Sequence, residues 1–277
     1  MPGRRAAQLH DRKAAVTDYR SASQLGEFKL CPERYRLHRI ERVWERPAAW
    51  LPQGLAVHEA AEAWERSGRT MSLDEAHEVY RESYTKHTNR LCEETPRWDY
   101  WFSSGPYHGE ADIERRHRLG LEQVTRYVHY YTVTAPQEVV WTTPAGDPAI
   151  ELGFEINLDG VPVRGYLDQV TTCPARPTPW PRDLKTGNLP GDAFQLAVYA
   201  IALLLNYGIS VTIGDYWMGR SGKPTLPYAL TEWTVERVTE EFHQMDAAVR
   251  AGRFEPKPEP AKCRFCPVQA SCAYAAA

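Results

Sequence analysis

E-L-G-F-E-I-N-L-D-G-V-P-V-R-G-Y-L-D-Q-V, Glu151 to Val170, alternates apolar and polar residues through Phe154, Ile156 and Leu158. It meets Asp159-Gly160 and resumes through Val161, Val163, Tyr166 and Val170. A period of two marks a strand, and Asp-Gly suits a tight two-residue turn, so the stretch predicts a β-hairpin. Four prolines follow, Pro174, Pro177, Pro179 and Pro181, and they predict a loop, because a residue without an N–H interrupts a ladder. The chain resumes as Arg182-Asp183-Leu184-Lys185, a short strand beside the hairpin. Asp168 and Asp183 then stand at the ends of adjacent strands, with Asp183 and Lys185 on one face and Leu184 turned away. A helix is expected from Asp192 to about Asn206, carrying Gln195 and Tyr199 at i and i+4 on one side.

Two carboxylates and an ammonium thus converge. Converging carboxylates repel one another unless a cation neutralises them, and oxygen ligands without a thiolate favour hydrated Mg²⁺ or Mn²⁺. A lysine beside such an ion orients or helps deprotonate an attacking water and offsets charge on a phosphoryl group. The pattern points to phosphodiester hydrolysis. A D-x-K taken alone is most often a pair of solvated surface charges, so the surrounding pattern decides the reading.

Upstream, Gly54 marks the approach to a helix over Leu55 to Trp64, with His58 in its first turns. Two long amphipathic helices are expected from Ser72 to about Leu91 and from Ala111 to Tyr131. They are joined by an aromatic stretch whose Trp98, Tyr100, Trp101, Phe102 and Tyr107 suit either base stacking or core packing. Nearer the start, Ser21 or Ser23 caps a helix carrying Leu25, Phe28, Leu30 and Tyr35, and Pro32 opens a new segment just after Cys31. Residues 1 to about 18 lack a hydrophobic period and read as a mobile arm. Its Arg4, Arg5, Arg12 and Lys13, together with Arg34, Arg36, Arg39 and Arg42, are the candidate basic faces.

Downstream, strands are expected over Ile209 to Met218 and Leu226 to Trp233, and a last long helix from Val235 to about Arg250. The intervening G-R-S-G-K-P is too short for a phosphate-binding loop and has Pro224 where a hydroxyl belongs, so no nucleotide cofactor is expected. In the tail, Cys263, Cys266 and Cys272 are spaced C-x2-C-x5-C. Thiols so close in a reducing compartment suggest a metal, and Cys31 is available as the fourth ligand. Spacing alone does not choose between zinc and an iron–sulfur cluster. Cys92 and Cys173 fall outside the pattern.

The chain of 277 residues is 43% apolar, a composition that suits a globular protein. A net charge of −3 does not mark a nucleic-acid binder overall, although a local basic face would suffice. The longest apolar run, Leu196 to Leu205, is too short for a bilayer and no secretion signal is evident, so a cytoplasmic protein without a membrane partner is expected.

G-Y-L-D (Gly165 to Asp168), D-L-K-T-G (Asp183 to Gly187) and Q-x-x-x-Y (Gln195 to Tyr199) resemble the successive nuclease motifs of the RecB-like branch of the PD-(D/E)xK superfamily. G-L-A-V-H-E (Gly54 to Glu59), the bracketing cysteines and the segment S-x-S-Q-L-x-x-F-x-x-C-P from Ser21 extend the resemblance to its iron–sulfur members, CRISPR-associated and phage-encoded exonucleases. The resemblance implies an α/β fold with a restriction-endonuclease-like core, a central mixed sheet flanked by helices. In this chain that gives one domain over residues 19–277: a helical part at 19–150, the catalytic core at 151–234, and the C-terminal helix and cluster-bound tail at 235–277. It also implies that His58, Asp168, Asp183 and the backbone carbonyl of Leu184 bind Mg²⁺ or Mn²⁺, that Lys185 assists catalysis, and that Gln195 and Tyr199 complete the site. Cys31, Cys263, Cys266 and Cys272 would hold a 4Fe-4S cluster in preference to zinc. The chain departs from the superfamily pattern where Leu167 and Arg182, not proline, precede the two aspartates. The implied activity is that of a DNA exonuclease on single strands or ends in recombination, repair or CRISPR-type DNA processing, with recombination or CRISPR adaptation proteins as candidate partners. Two alternatives stay open: a structure-specific endonuclease of the same fold, and a non-catalytic nucleic-acid-binding protein with a relict site.

Overall fold

The computed structural model describes residues 18–276, so the arm expected over the first residues and its basic side chains lie outside the described residues. Helix α1 (Ala22–Leu30) starts at Ser21, whose Oγ accepts the N–H of Gln24, and Cys31 separates it from α2 (Pro32–Tyr35), which runs into a π-helical turn, Arg36–Ile40. Helices α3 (Trp50–Arg66), α4 (Leu73–Glu94) and α5 (Gly109–His129) follow, α4 opening on a reciprocal cap between Ser72 and Glu75. A Cβ on Gly120 would come within 2.0 Å of the Tyr80 hydroxyl, so α4 and α5 pack at a distance that only glycine permits. Helix α3 begins earlier than its pattern suggests, with Pro52 tolerated in the first turn and Gly54 inside the helix, not before it.

The sheet comprises β1 (Val139–Val140), β2 (Ile150–Leu158), β3 (Val161–Cys173), β4 (Arg176–Lys185), β5 (Ile213–Met218), β6 (Lys223–Pro224) and β7 (Tyr228–Ala229). Its order is β1-β3-β4-β5-β6, with β2 also paired to β3 and β7 to β5. The β4/β5 pair is parallel, bridged by α6 (Ala193–Tyr207), and the other pairs are antiparallel, so the sheet is mixed. The β2/β3 hairpin turns at Asp159 and Gly160, both at positive φ, with Leu158 opposite Val161 as the Asp-Gly signal predicts. Helix α7 (Val235–Arg250), the short α8 (Pro260–Cys263) and a 3-10 turn, Gln269–Ser271, follow. One apolar core joins the sheet to α1, α6 and α7, and a second joins α3, α4 and α5 to Leu184 and Trp217. No helix among the described residues is long and apolar enough to cross a membrane.

Three strand expectations are corrected, the one over Ile209 to Met218 beginning only at Ile213, as β5. Strand β4 starts at Arg176, inside the segment expected to be a loop. Val170 gives its N–H to Ala149 O and takes the N–H of Trp141, so its neighbours Gln169 and Thr171 face β4, opposite Arg182 and Trp180. Pro179 and Pro181 alternate with those paired residues, and their missing N–H groups fall on the other side of β4, which β5 joins only from Arg182 onward. Prolines spaced by two therefore remove no bond from the β3 ladder. The strand expected over Leu226 to Trp233 shrinks to Tyr228–Ala229, because Pro227 precedes it and the chain turns again after Leu230. Of the G-R-S-G-K-P stretch, Gly219 to Gly222 form the turn after β5 and Lys223-Pro224 are β6 itself.

Candidate active site

The register that sets Gln169 opposite Arg182 brings Asp168 beside Asp183 on neighbouring strands. Asp168 Oδ2 accepts the N–H of Leu184 at 2.8 Å, which ties the carboxylate across the gap between β3 and β4. Leu184 itself packs into the α3–α5 core, while Asp183 and Lys185 pair on the other face with Nζ 2.6 Å from Oδ2. Asp183 is 1% exposed and its second oxygen receives Gln195 Nε2 at 2.5 Å and the Tyr199 hydroxyl at 3.3 Å. Gln195 Oε1 accepts from Lys185 Nζ at 3.1 Å, so its amide is oriented by an anion at one end and a cation at the other. Asp192 caps α6 by accepting the N–H of Phe194, and the helix then delivers Gln195 and Tyr199 one turn apart.

His58 arrives from α3. Gly54, one turn earlier, lies so near the D-L-K-T-G strand end that a Cβ there would stand 3.2 Å from Thr186 Oγ1. This close approach sets His58 Nε2 3.1 Å from the carbonyl oxygen of Leu184, and Nδ1 3.5 Å from both Asp168 Oδ2 and Glu151 Oε1. Glu151 had no assigned role in the sequence. Counting back from the turn, where 158 faces 161, places 151 opposite 168, so the register held the missing signal. Glu151 adopts a φ of +45°, a strained backbone for a non-glycine residue in the strand that brings it to the site.

Burial pushes Asp183 up to about 7, with Asp168 adding to the rise and Lys185 opposing it. Burial raises Asp168 as well, with His58 opposing and Glu151 adding. Burial works against a charged His58, yet Asp168, Glu151 and Asp183 together lift it to about 9. The cluster is short of positive charge. His58, Glu151 and Asp168 offer ligand atoms within 4.8 Å of one another, and a nitrogen with two carboxylates is a donor set that fits Mg²⁺ or Mn²⁺. Asp183, expected among the same ligands, stands beside this trio but is engaged by Lys185, Gln195 and Tyr199.

The four cysteines singled out in the sequence meet elsewhere. Cys31, between α1 and α2, lines one pocket with Cys263, Cys266 and Cys272 of the tail. The backbone N–H of Lys257 points at Cys31 Sγ from 3.4 Å. Burial pushes the Cys266 thiol up, and the nearby Cys272 and Cys31 act in the same direction. Among the candidate stacking aromatics, Trp101 and Phe102 are buried and Trp98, Tyr100 and Tyr107 are exposed.

The family model of the PD-(D/E)XK nuclease superfamily matches residues 19–273. The "Gene 69 protein" of Mycobacterium phage L5 is 49% identical over 280 residues, covering 91% of this chain and 95% of that one. Its namesake from Mycobacterium phage D29 is 49% identical over 261 residues, 91% of this chain and 96% of the other. Among solved structures, a "Putative exonuclease" from Eubacterium rectale aligns with a TM-score of 0.46 at 13% identity, covering 92% of this chain and 88% of that one.

Proposed function

Since this chain belongs to the PD-(D/E)XK nuclease superfamily, we propose that it is a Mg²⁺- or Mn²⁺-dependent DNA exonuclease of the RecB-like iron–sulfur branch, acting on single strands or DNA ends. The observation that carries this reading is the meeting of Asp168, Asp183, Lys185 and His58 in one partly solvent-open cluster, every member held by a hydrogen bond or ion pair. His58, Glu151 and Asp168, with the carbonyl of Leu184 and the carboxylate of Asp183 at hand, would hold the cation. When bound, it supplies a Lewis acid for a phosphoryl oxygen and lowers the pKa of a water. Lys185 is fixed between Asp183 and Gln195, where its ammonium opposes the charge that builds on a phosphoryl group during attack. Gln195 and Tyr199 keep Asp183 in place and shield its Oδ1 from bulk water. Under the same reading Cys31, Cys263, Cys266 and Cys272 carry a 4Fe-4S cluster remote from hydrolysis, and protein partners belong to recombination or CRISPR-type DNA processing.

The deciding experiment offers 5′- and 3′-labelled single- and double-stranded DNA, and a covalently closed circle, to the protein with Mg²⁺ or Mn²⁺. An exonuclease shortens labelled ends and spares the circle. A cut circle makes the protein an endonuclease, and inertness toward every substrate makes the site a relict.

A further inference from the structure

A pocket of about 500 Å³ starts where Gln195 and Tyr199 leave the catalytic cluster and reaches to the start of α1. Along β3, Arg164, Tyr166 and Asp168 occupy alternate positions and share one side of the strand. Each two-residue step advances about 6.6 Å, near the spacing of successive phosphates in an extended nucleotide strand. The start of α1 is fastened beside them. Arg20 donates its N–H to Pro162 O at 2.8 Å and accepts that of Arg164 at 2.9 Å, an added rung on β3, and the Arg20–Asp246 ion pair at 2.6 Å holds the segment.

Several groups in this pocket take no part in the catalytic cluster. Tyr166 is 65% exposed, and its ring rests on Gly153, its partner across the hairpin, where a Cβ would already touch it at 3.4 Å. The ring thus lies against the hairpin backbone on one side and is otherwise open to solvent. Ser21 Oγ accepts the N–H of Gln24 and shares one hydrogen bond with Ser23 Oγ at 3.1 Å. Two hydroxyls carry two protons, so one O–H remains to donate outward, next to helical N–H groups that have no partner within the helix. Gln24 lines the same pocket at 5% exposure, and its side-chain oxygen is buried with no donor among the described residues. An acceptor buried in that way is costly until a ligand supplies an N–H. Arg164 pairs across the hairpin with an exposed Glu155 and lies over the Tyr19 ring, 5.3 Å from its centroid; the ion pair is a contact that water screens and a phosphate can displace.

A supported aromatic ring, a hydroxyl-lined helix start, a guanidinium and an unpaired amide oxygen share one pocket that opens onto the catalytic residues. We propose that this pocket is a nucleotide subsite: it takes the nucleotide next to the scissile phosphodiester of an unpaired DNA strand, with the base on Tyr166 and Gln24 and the outer phosphate on Arg164 and the start of α1. The inference rests on the nuclease reading above and deepens it. A base that stacks on Tyr166 has left its duplex partner, so the subsite selects strands that are single or have frayed.

The test places the fluorescent base 2-aminopurine at one position at a time in a short oligonucleotide. Each is titrated with the full-length protein in EDTA, and the cleavage position is mapped separately with Mn²⁺. The parent protein should quench one position beside the cut, and Tyr166→Ala should abolish that quenching alone and weaken binding by at least about 5-fold, while Tyr166→Phe retains it. Arg164→Gln and Ser23→Ala should raise KM more than they lower kcat, and Arg164→Gln should reduce the salt dependence of binding by about one ion. If the parent cleaves DNA but no position depends on Tyr166, the subsite is wrong and the nuclease reading stands. If the parent neither cleaves nor binds the oligonucleotide, the nuclease reading falls and takes the subsite with it.

Discussion

Lys185 and Glu151 do different things to the same cluster, and substituting each separates them. Lys185 is the cation closest to Asp183, a carboxyl that burial already holds near 7, so the aspartate can accept a proton when that cation is lost. Lys185→Met should therefore fold and bind DNA in EDTA like the parent, while its single-turnover cleavage rate falls by ~10²-fold or more. Parental turnover in this variant would remove the proposed site. Glu151→Gln keeps the shape of the side chain and takes away one anionic donor from the trio with His58 and Asp168. Its half-saturating Mn²⁺ concentration should rise roughly 10-fold, with the rate recovering at high Mn²⁺. Superimposed Mn²⁺ titrations would show that Glu151 is not a ligand.

Two polar assemblies hold the elements that bring those residues together. Arg182, fully buried on the opposite face from Asp183, makes two bonds to Asp215 on β5 at 2.6 and 2.7 Å and reaches Glu138 and the Tyr131 hydroxyl. Arg182→Ala would leave Asp215 buried without its cation and Glu138 with Arg176 alone, so urea unfolding should report a loss of ~3–5 kcal/mol. A loss below 1 kcal/mol would mean that water replaces the guanidinium. The second assembly binds α1 to α2 and its π-turn: Glu27 accepts from Arg34, His38 and Arg39, and His38 also meets Glu45. Bonds to Glu27 and then Glu45 raise His38 to about 9, against an ordinary value of 6.5. The folded state holds this proton more tightly than the unfolded chain does. The stabilisation is therefore complete below pH 6.5 and fades as the pH rises through 9, by about 2 kcal/mol after allowance for partial exposure. His58 titrates over the same window, so the measure is the difference between parent and His38→Gln in urea unfolding at pH 6.5 and 9. That difference should shrink toward pH 9, and a constant difference would refute the assignment.

At the scale of the whole molecule, the two ends of the described chain meet at one pocket, Cys31 from the first helices and three cysteines from the tail. A metal centre there, as proposed above, would close a loop that contains nearly the entire fold, and its binding energy would become folding energy. Protein purified without oxygen should be brown and contain about four irons per chain. Cys263→Ser should lose the iron and melt at a lower temperature, whereas Cys92→Ser, outside the pocket, should do neither. Stoichiometric zinc in anaerobic protein would replace the cluster but keep the staple, and unchanged melting of Cys31→Ser would dispose of both.

Local chemistry determined much of this molecule. The period of two and the Asp-Gly turn made the β2/β3 hairpin legible, Ser21, Ser72 and Asp192 announced their helices, and the side-chain alternation in Asp183-Leu184-Lys185 announced which of the three faces the core. These signals act over a few residues and need no partner from elsewhere in the chain. Three features needed the tertiary structure. Pro179 and Pro181 became strand residues because β3 pairs with their neighbours and leaves their own side of the backbone to the edge. Glu151 became a site residue because pairing across β2 and β3 lays it beside Asp168 while α3 brings His58 to meet both. The pocket at the start of α1 exists because Arg20 adds a rung to β3, a contact between residues far apart in sequence. Backbone pairing and helix docking bring distant residues together, and no local pattern encodes their register until the chain has folded.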